Sequence, residues 1–212
     1  MTALSSKNFL ERALVELREI RNEVIDLATG YDIYWKVQRE VIQRNPRLLT
    51  IRSAFFDMLN DAYAHSAAMR VRRLVDKDNR TISLHGLLKE LSKYPDLSNG
   101  RVSADELAAD INELDQGTSK VKDYVDQFIA HHDRSPVATA PIHRELNAAI
   151  ELLIRLLRKY YGVLAGSDID VVVSYLEDPL TIFRFAWIDA KGLKIALRTY
   201  AAGLSSILAL RR

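Results

Sequence analysis

Two adjacent histidines, His131 and His132, lie near the end of a segment with helical periodicity. His132 follows Phe128 by four residues and shares its apolar face, whereas His131 lies beside Gln127 on the polar flank. An imidazole titrates near neutral pH, so it can take up or release a proton under physiological conditions. The spacing therefore predicts two different environments, a packed ring at 132 and an accessible ring at 131.

Two other interpretations of the same histidines stay open. Together with Asp133 they also fit a polar helix end, where imidazolium groups favour the negative end of the helix dipole. A metal site formed by His131, Asp133 and His143 is the weaker alternative, because these residues do not match a ligand spacing on a helix. We therefore predict no metal site and no cofactor.

The elements around this segment are predicted to be helices throughout. Apolar residues recur at three- and four-residue spacing in nearly every window, and alternating β-branched patterns are almost absent. The fold class is therefore all-α, a bundle with short connections. The expected helices span about 8–28, 31–43, 45–75, 84–94, 104–132, 143–165, 167–175 and 190–211, and Gly30 is expected to end the first.

Helix boundaries are marked by capping residues. Ser83 is a plausible N-cap for the short helix that Pro95 closes. Ser103 and Glu106 match the capping box, and the helix that they open is expected to be irregular near Gly117. No solenoid repeat and no low-complexity linker interrupts the pattern, so we predict a single helical domain over 1–212.

Composition excludes several classes of protein. The 212 residues include no Cys, so a disulfide framework, a thiolate zinc site and a cysteine nucleophile are excluded. The net charge of +2 is too small to indicate nucleic-acid binding by bulk charge alone. Charges near the amino terminus do not fit a signal peptide, and the uncharged stretch 199–210 is too short to cross a bilayer. We expect a cytoplasmic protein without membrane contact.

Three strings of residues resemble one known family. They are Phe128-Ile129-Ala130-His131-His132-Asp133, the earlier Met69-Arg70-Val71-Arg72-Arg73-Leu74-Val75-Asp76, and Ser83-Leu84-His85-Gly86-Leu87-Leu88. This arrangement resembles the HEPN superfamily, specifically its abortive-infection, AbiU-like branch, over about 48–161. The resemblance implies a HEPN-like helical bundle with additional amino- and carboxyl-terminal helices, commonly a homodimer. Many members are metal-independent ribonucleases of toxin–antitoxin or phage-defence systems.

The family's motif assigns roles to individual residues. Active members carry an Arg four to six residues before a His, with a polar residue after the Arg. The resemblance makes His131 the acid–base residue, with His132 as the second choice. At the Arg position this chain has Asp126, followed by Gln127, and no Arg or Lys occupies positions 124–127. Because a carboxylate repels the phosphate that the Arg attracts, we expect weak or absent ribonuclease activity.

Other arginines of the chain could supply the missing positive charge, so several functions remain open. Arg134, or an Arg of a dimer mate, is the expected substitute for the missing Arg. Arg70 and Arg73 are candidate phosphate ligands, although cations at a helix C-terminus are also expected on electrostatic grounds alone. The leading hypothesis is an inactive HEPN-like protein that binds RNA, a nucleotide or a protein partner of a defence module. The alternatives are an active endoribonuclease using His131, and a helical scaffold or dimerisation protein unrelated to RNA.

Overall fold

Five α-helices make up most of the described chain. The computed structural model describes residues 3–45, 48, 54–98, 100–130, 141–171, 173, 175 and 177–183, and these contain no strand. The all-α prediction is confirmed. In chain order the helices are α1 (Ala3–Lys36), α2 (Ala54–Leu74), α3 (Leu84–Leu91), α4 (Ala104–Tyr124) and α5 (His143–Ala165).

Two of the helices continue directly into π-helical segments. The first is Val37–Ile42 after α1, and the second is Val125–Ala130 after α4, which we call the π-turn. Two short 3-10 helices, Pro95–Ser98 and Pro179–Phe183, complete the described elements. A π-helical segment inside a longer helix is often found at a functional site, and the π-turn directly precedes the two histidines in sequence.

The first helix is longer than the sequence predicted. The expected end at Gly30 is wrong, because α1 runs through this residue to Lys36 without a break. Leu27 and Ala28 are buried before the glycine, and Tyr34 is buried after it. Continued burial on both sides offsets the cost of about 1 kcal/mol that a glycine carries inside a helix.

The expected irregularity near Gly117 is also misplaced. The fourth helix passes through Gly117 in regular α geometry, and the departure occurs eight residues later, at the π-turn. A Cβ atom at position 117 would lie only 2.6 Å from Cδ2 of Leu152. The glycine therefore serves the close approach of α4 to α5 rather than a kink.

The helix predicted over 167–175 is wrong for its described part. The last α-helix ends at Ala165, and Gly166 follows with φ +67°, a left-handed conformation that favours glycine. Residues 167–171 then have no helical structure. The β-branched Ile169, Val171 and Val173 lower the helix propensity here. The helix predicted over 190–211 lies outside the described residues.

Both capping predictions are confirmed. The hydroxyl of Ser83 accepts a hydrogen bond from the Gly86 amide at 3.0 Å, which starts α3. At the start of α4, the Ser103 hydroxyl accepts from the Glu106 amide and the Glu106 carboxylate accepts from the Ser103 amide, each at 3.1 Å. These bonds satisfy backbone donors that would otherwise lack partners.

The hydrophobic core lies among the apolar stripes of the helices. The fully buried side chains include the following: Leu17, Ile20, Leu27, Leu74, Leu84, Leu87, Leu88, Leu91, Leu114, Leu146, Ile150 and Tyr160. Asp110 of α4 is one of the buried polar residues, and it accepts hydrogen bonds from the Tyr160 hydroxyl and the Lys159 ammonium, both at 2.7 Å. Burial and this contact with Asp110 raise the pKa of Tyr160.

The chain divides into two compact units, Met1–Ser174 and Tyr175–Arg212. All five α-helices belong to the first unit, and the described part of the second contains the 3-10 helix Pro179–Phe183. A single domain over 1–212 stays a prediction.

Candidate functional site

The π-turn presents one buried and one polar side. Val121 and Val125 are each 1% exposed and hold this end of α4 against the core. Phe128 is half-buried, and its ring lies 5.4 Å from that of Tyr124. Val121, Val125 and Phe128 thus form an apolar side of this segment, and Asp126 lies next to it with one third of its side chain exposed.

Asp126 is held by two cations. The guanidinium of Arg72, on α2, donates from Nε to Oδ1 of Asp126 at 2.7 Å. The ammonium of Lys122, one turn earlier on α4, donates to Oδ2 at 2.9 Å. Arg72 also pairs with Asp76, its Nη1 lying 3.3 Å from Oδ1. Two cations and two carboxylates thus form one cluster between α2 and the π-turn, which we call the Asp126 cluster.

The charges of the Asp126 cluster compensate one another. Partial burial acts to raise the pKa of Asp126, but the hydrogen bonds from Arg72 and Lys122 outweigh it, so the pKa lies below its usual value. For Arg72, burial acts in the opposite direction, and the bonds to Asp126 and Asp76 still raise its pKa. The formal charges of the two cations and two carboxylates sum to zero.

An Arg beside Asp126 was not expected from the motif, which requires it on the same helix. The structure supplies it from α2, more than fifty residues earlier in the chain. Arg72 belongs to one of the strings that carry the family resemblance, but nothing in its spacing indicated contact with Asp126. The sequence did contain one signal for Arg72: its spacing of four residues from Asp76 favours an ion pair between these two side chains.

A third histidine also lies near the π-turn. His65 of α2 is exposed, and its Nε2 lies 3.0 Å from the hydroxyl of Tyr124, with the two rings stacked. Burial, reinforced by the charge of Asp61, raises the pKa of Tyr124. Because His65 and Arg72 are seven residues apart, they share one face of α2. This face thus brings both an imidazole and a guanidinium to the π-turn, and the sequence interpretation missed both.

The other residues predicted for the site do not belong to the Asp126 cluster. Arg70 pairs through Nη1 with Asp26 at 3.2 Å and with Glu23 at 3.3 Å, and Arg73 pairs with Glu23 at 3.2 Å. These two arginines therefore contact α1 rather than the Asp126 cluster, and phosphate binding by them stays a prediction. Gln127 lies half-buried in the π-turn. His131, His132 and Arg134 lie outside the described residues.

In the described part of the chain, no group of three His, Asp or Glu side chains is arranged to hold a metal ion. No helix there combines the length and the apolar character that a membrane span requires.

Comparison with known families bears directly on this geometry. The family model described as AbiU2, of the HEPN group, matches residues 10–179. The chain belongs to the AbiU2 family of HEPN proteins. This match extends beyond the range 48–161 over which the resemblance was recognised. It covers most of α1 as well. The comparison with curated proteins found no match, and neither did the comparison with solved structures.

Proposed function

We propose that this AbiU2-family protein works in a phage-defence or toxin–antitoxin module by binding, with weak or no cleavage of RNA. Its ligand is RNA, a nucleotide or a protein partner of the module, in the cytoplasm. One observation carries the proposal. The carboxylate of Asp126 stands where active relatives of the superfamily carry an Arg, and it already binds both nearby cations, Arg72 and Lys122.

The physical argument concerns the charge that develops on a phosphate during cleavage. Metal-independent cleavage needs an acid–base group and a positioned cation, and loss of one stabilising donor typically costs about 10²–10³ in rate. In the Asp126 cluster the cations are neutralised by Asp126 and Asp76, so they offer little to a phosphate. His131 alone, as the acid–base residue with His132 as the second choice, therefore supports at most slow cleavage.

The test compares cleavage of single-stranded RNA, in the presence of a chelator, by the native protein and two variants. Asp126→Arg restores the motif but places a third cation beside Arg72 and Lys122, whereas Asp126→Asn removes the carboxylate without adding charge. We expect both variants to cleave at least about tenfold faster. The matched control is Asp123→Asn, an exposed carboxylate nearby on α4. If neither Asp126 variant gains activity while folded, the role assigned to Asp126 is wrong.

A second candidate function is an active endoribonuclease that uses His131 with Arg72 as its cation. The observation that favours it is the position of the Arg72 guanidinium, which α2 supplies at the π-turn. It predicts cleavage by the native protein with chelator present, abolished by His131→Ala and lowered about 10²–10³-fold by Arg72→Gln. Native protein that does not cleave RNA excludes this candidate and leaves the binding function.

Homodimer formation is part of the proposal and has a structural basis on α2. Its outward face carries exposed side chains at spacings of three, four and seven: Phe55, Met58, Ala62 and Met69. This is the spacing with which helices pair in coiled coils. Phe55 and Met58 are 42% and 60% exposed, which is unusual for such large apolar side chains in an isolated protein. A second copy of the chain is the proposed occupant of this face.

Size-exclusion chromatography with light scattering tests the homodimer. We expect a dimer at tens of micromolar for the native protein and a monomer for Met58→Glu, which places a charge at the centre of the exposed face. The control is Val15→Glu, since Val15 is 56% exposed on α1, outside that face. A native monomer at this concentration contradicts the proposed dimer.

A further inference from the structure

A polar cavity of about 460 Å³ opens beside the start of α3, and none of the residues of the Asp126 cluster line it. Arg12 and Glu16 of α1 form one wall, and the connection between α2 and α3 forms another with Lys77 and Asn79. The third wall is α3 itself and the residues after it. The volume falls within the range of sites for small molecules, roughly 300–1,000 Å³.

The charge of this cavity is positive and partly uncompensated. Arg12 pairs with Glu16 and Glu90, and Lys77 pairs with Asp115 at 2.7 Å. Lys89 and Lys93 also line the cavity, are exposed, and form no ion pair with any residue that the structure describes. Lys89 lies in the last turn of α3 and Lys93 just after its end, and both reach the same cavity. They leave the cavity with an excess of positive charge.

His85 lines the same cavity from the second position of α3. It is 4% exposed, and its Nε2 lies 3.5 Å from Oδ1 of Asp115. Its Nδ1 is buried and has no hydrogen-bond partner among the described residues. Buried polar atoms in folded proteins nearly always have a partner. His85 therefore has one buried ring nitrogen without a described partner, in a residue that lines the charged cavity.

The surroundings of His85 keep it uncharged at neutral pH. Burial lowers its pKa, the carboxylate of Asp115 acts to raise it, and the ammonium groups of Lys77 and Lys89 lower it further. An uncharged imidazole can donate or accept a hydrogen bond without adding a charge. Its position in the first turn of α3 also lies at the positive end of the helix dipole, which favours an anion.

We propose that this cavity binds a hydroxylated phosphate monoester of the sugar-phosphate class. Lys89, one turn after His85, and Lys93, just beyond the end of α3, hold the phosphate, and the carboxylates of Glu16 and Glu90 and the amide of Asn79 bind the hydroxyl groups. The cavity is several times larger than a phosphate group, so it accommodates an organic part. Apart from the buried imidazole of His85, its lining contains no aromatic ring on which a nucleobase could stack.

Isothermal titration calorimetry of the full chain with four probes tests this proposal. We expect glucose 6-phosphate to bind at least about tenfold more tightly than inorganic phosphate or adenosine monophosphate, and glucose not to bind. Tighter binding of adenosine monophosphate overturns the sugar-phosphate class. Equal binding of inorganic phosphate shows a site for free phosphate only. Absence of heat with every probe at about 10 mM overturns the site itself.

Variants locate the binding in this cavity. Lys89→Gln combined with Lys93→Gln should weaken glucose 6-phosphate at least about tenfold, because two charge-assisted contacts are lost. Lys7→Gln, an exposed lysine elsewhere on α1, should leave the affinity unchanged. Lys89 and Lys93 are both exposed, so their replacement leaves the fold intact. Equal loss with the control contradicts the assignment.

The ring signals of His85 in nuclear magnetic resonance provide a second readout. A bound phosphate dianion should raise the pKa of His85, against the effect of Lys77 and Lys89. Signals that titrate identically with and without glucose 6-phosphate overturn the contact with His85. Because this site lies apart from Asp126, its failure would not affect the proposed function at the π-turn.

Discussion

Nε of Arg72 lies 2.7 Å from Oδ1 of Asp126 and joins the last turns of α2 to the π-turn that follows α4. The contact links two segments that both carry the family resemblance. Asp126 therefore affects both the stability of the fold and the charge available at the π-turn. The carboxylate stabilises the packing of α2 against the π-turn, and it also neutralises the cations that a phosphate would need. A gain in activity on its removal should therefore accompany a loss in stability.

Asp126→Asn is expected to lower the free energy of unfolding by about 1 kcal/mol, since both ion pairs are partly exposed and screened by solvent. For a chain of this length the melting temperature should fall by about 2–4 °C. Asp123→Asn should leave it unchanged. Thermal denaturation followed by circular dichroism measures the difference, and equal shifts of the two variants would contradict the contribution of the Asp126 cluster.

Tyr160→Phe should destabilise the protein by about 1–2 kcal/mol. The change removes a hydrogen bond and leaves Asp110, which is 8% exposed, with the Lys159 ammonium as its remaining described partner. Tyr161→Phe provides the matched comparison, because Tyr161 is only half-buried. Urea denaturation should separate the two variants, and a Tyr160→Phe protein as stable as the native one would show that Asp110 does not need the hydroxyl.

Two glycine substitutions should have different effects although both positions lie inside α-helices. A Cβ atom at Gly30 meets nothing within 4 Å, so Gly30→Ala should stabilise α1 by about 0.5–1 kcal/mol. At Gly117 the new Cβ atom would displace Leu152, which offsets that gain. The two midpoints of urea denaturation measure the difference. A larger gain from Gly117→Ala would show that Leu152 moves aside without cost.

Stability should fall in mildly acidic solution because of His85. The pKa of His85 is lower in the folded protein than in the unfolded chain, where it is about 6.5, so the unfolded chain binds more protons in this range. Its contribution is therefore complete above about pH 6.5 and is lost as the pH falls from there through the folded pKa.

Urea midpoints measured between about pH 7.5 and pH 5 test this dependence. His85→Gln should flatten the profile, because the titrating group is gone. A His85→Gln protein that loses stability as steeply as the native one would assign the effect to another group.

Local signals in the sequence predicted the local structure well. Ser83 and Ser103 mark helix starts correctly, because a cap depends on residues only three positions apart. Gly30 misled the prediction, because the burial that carries α1 past it comes from other helices. The place of the irregularity after α4 could not be predicted because it also depends on tertiary packing. Gly117 is needed for the close contact with Leu152 of α5 and does not mark a kink.

The sequence singled out Asp126 as a carboxylate at the motif position of a cation, and that role stays a prediction. Its partner Arg72 could not be found, because contact between α2 and the π-turn is set by tertiary packing and not by spacing along the chain. His85 was likewise quoted only as part of a resemblance, and its cavity becomes visible only when α1 and α3 are placed side by side.

The uninterrupted first helix has a consequence for measurement. With 34 residues it extends over about 50 Å, and it carries Arg12 toward one end and Tyr34 toward the other. A sugar phosphate at the first end and a second subunit on the neighbouring α2 would both restrain the same hydrogen-bonded rod. Hydrogen exchange of the backbone amides of α1 should therefore report, in one experiment, on ligand binding in the cavity and on dimer formation through α2.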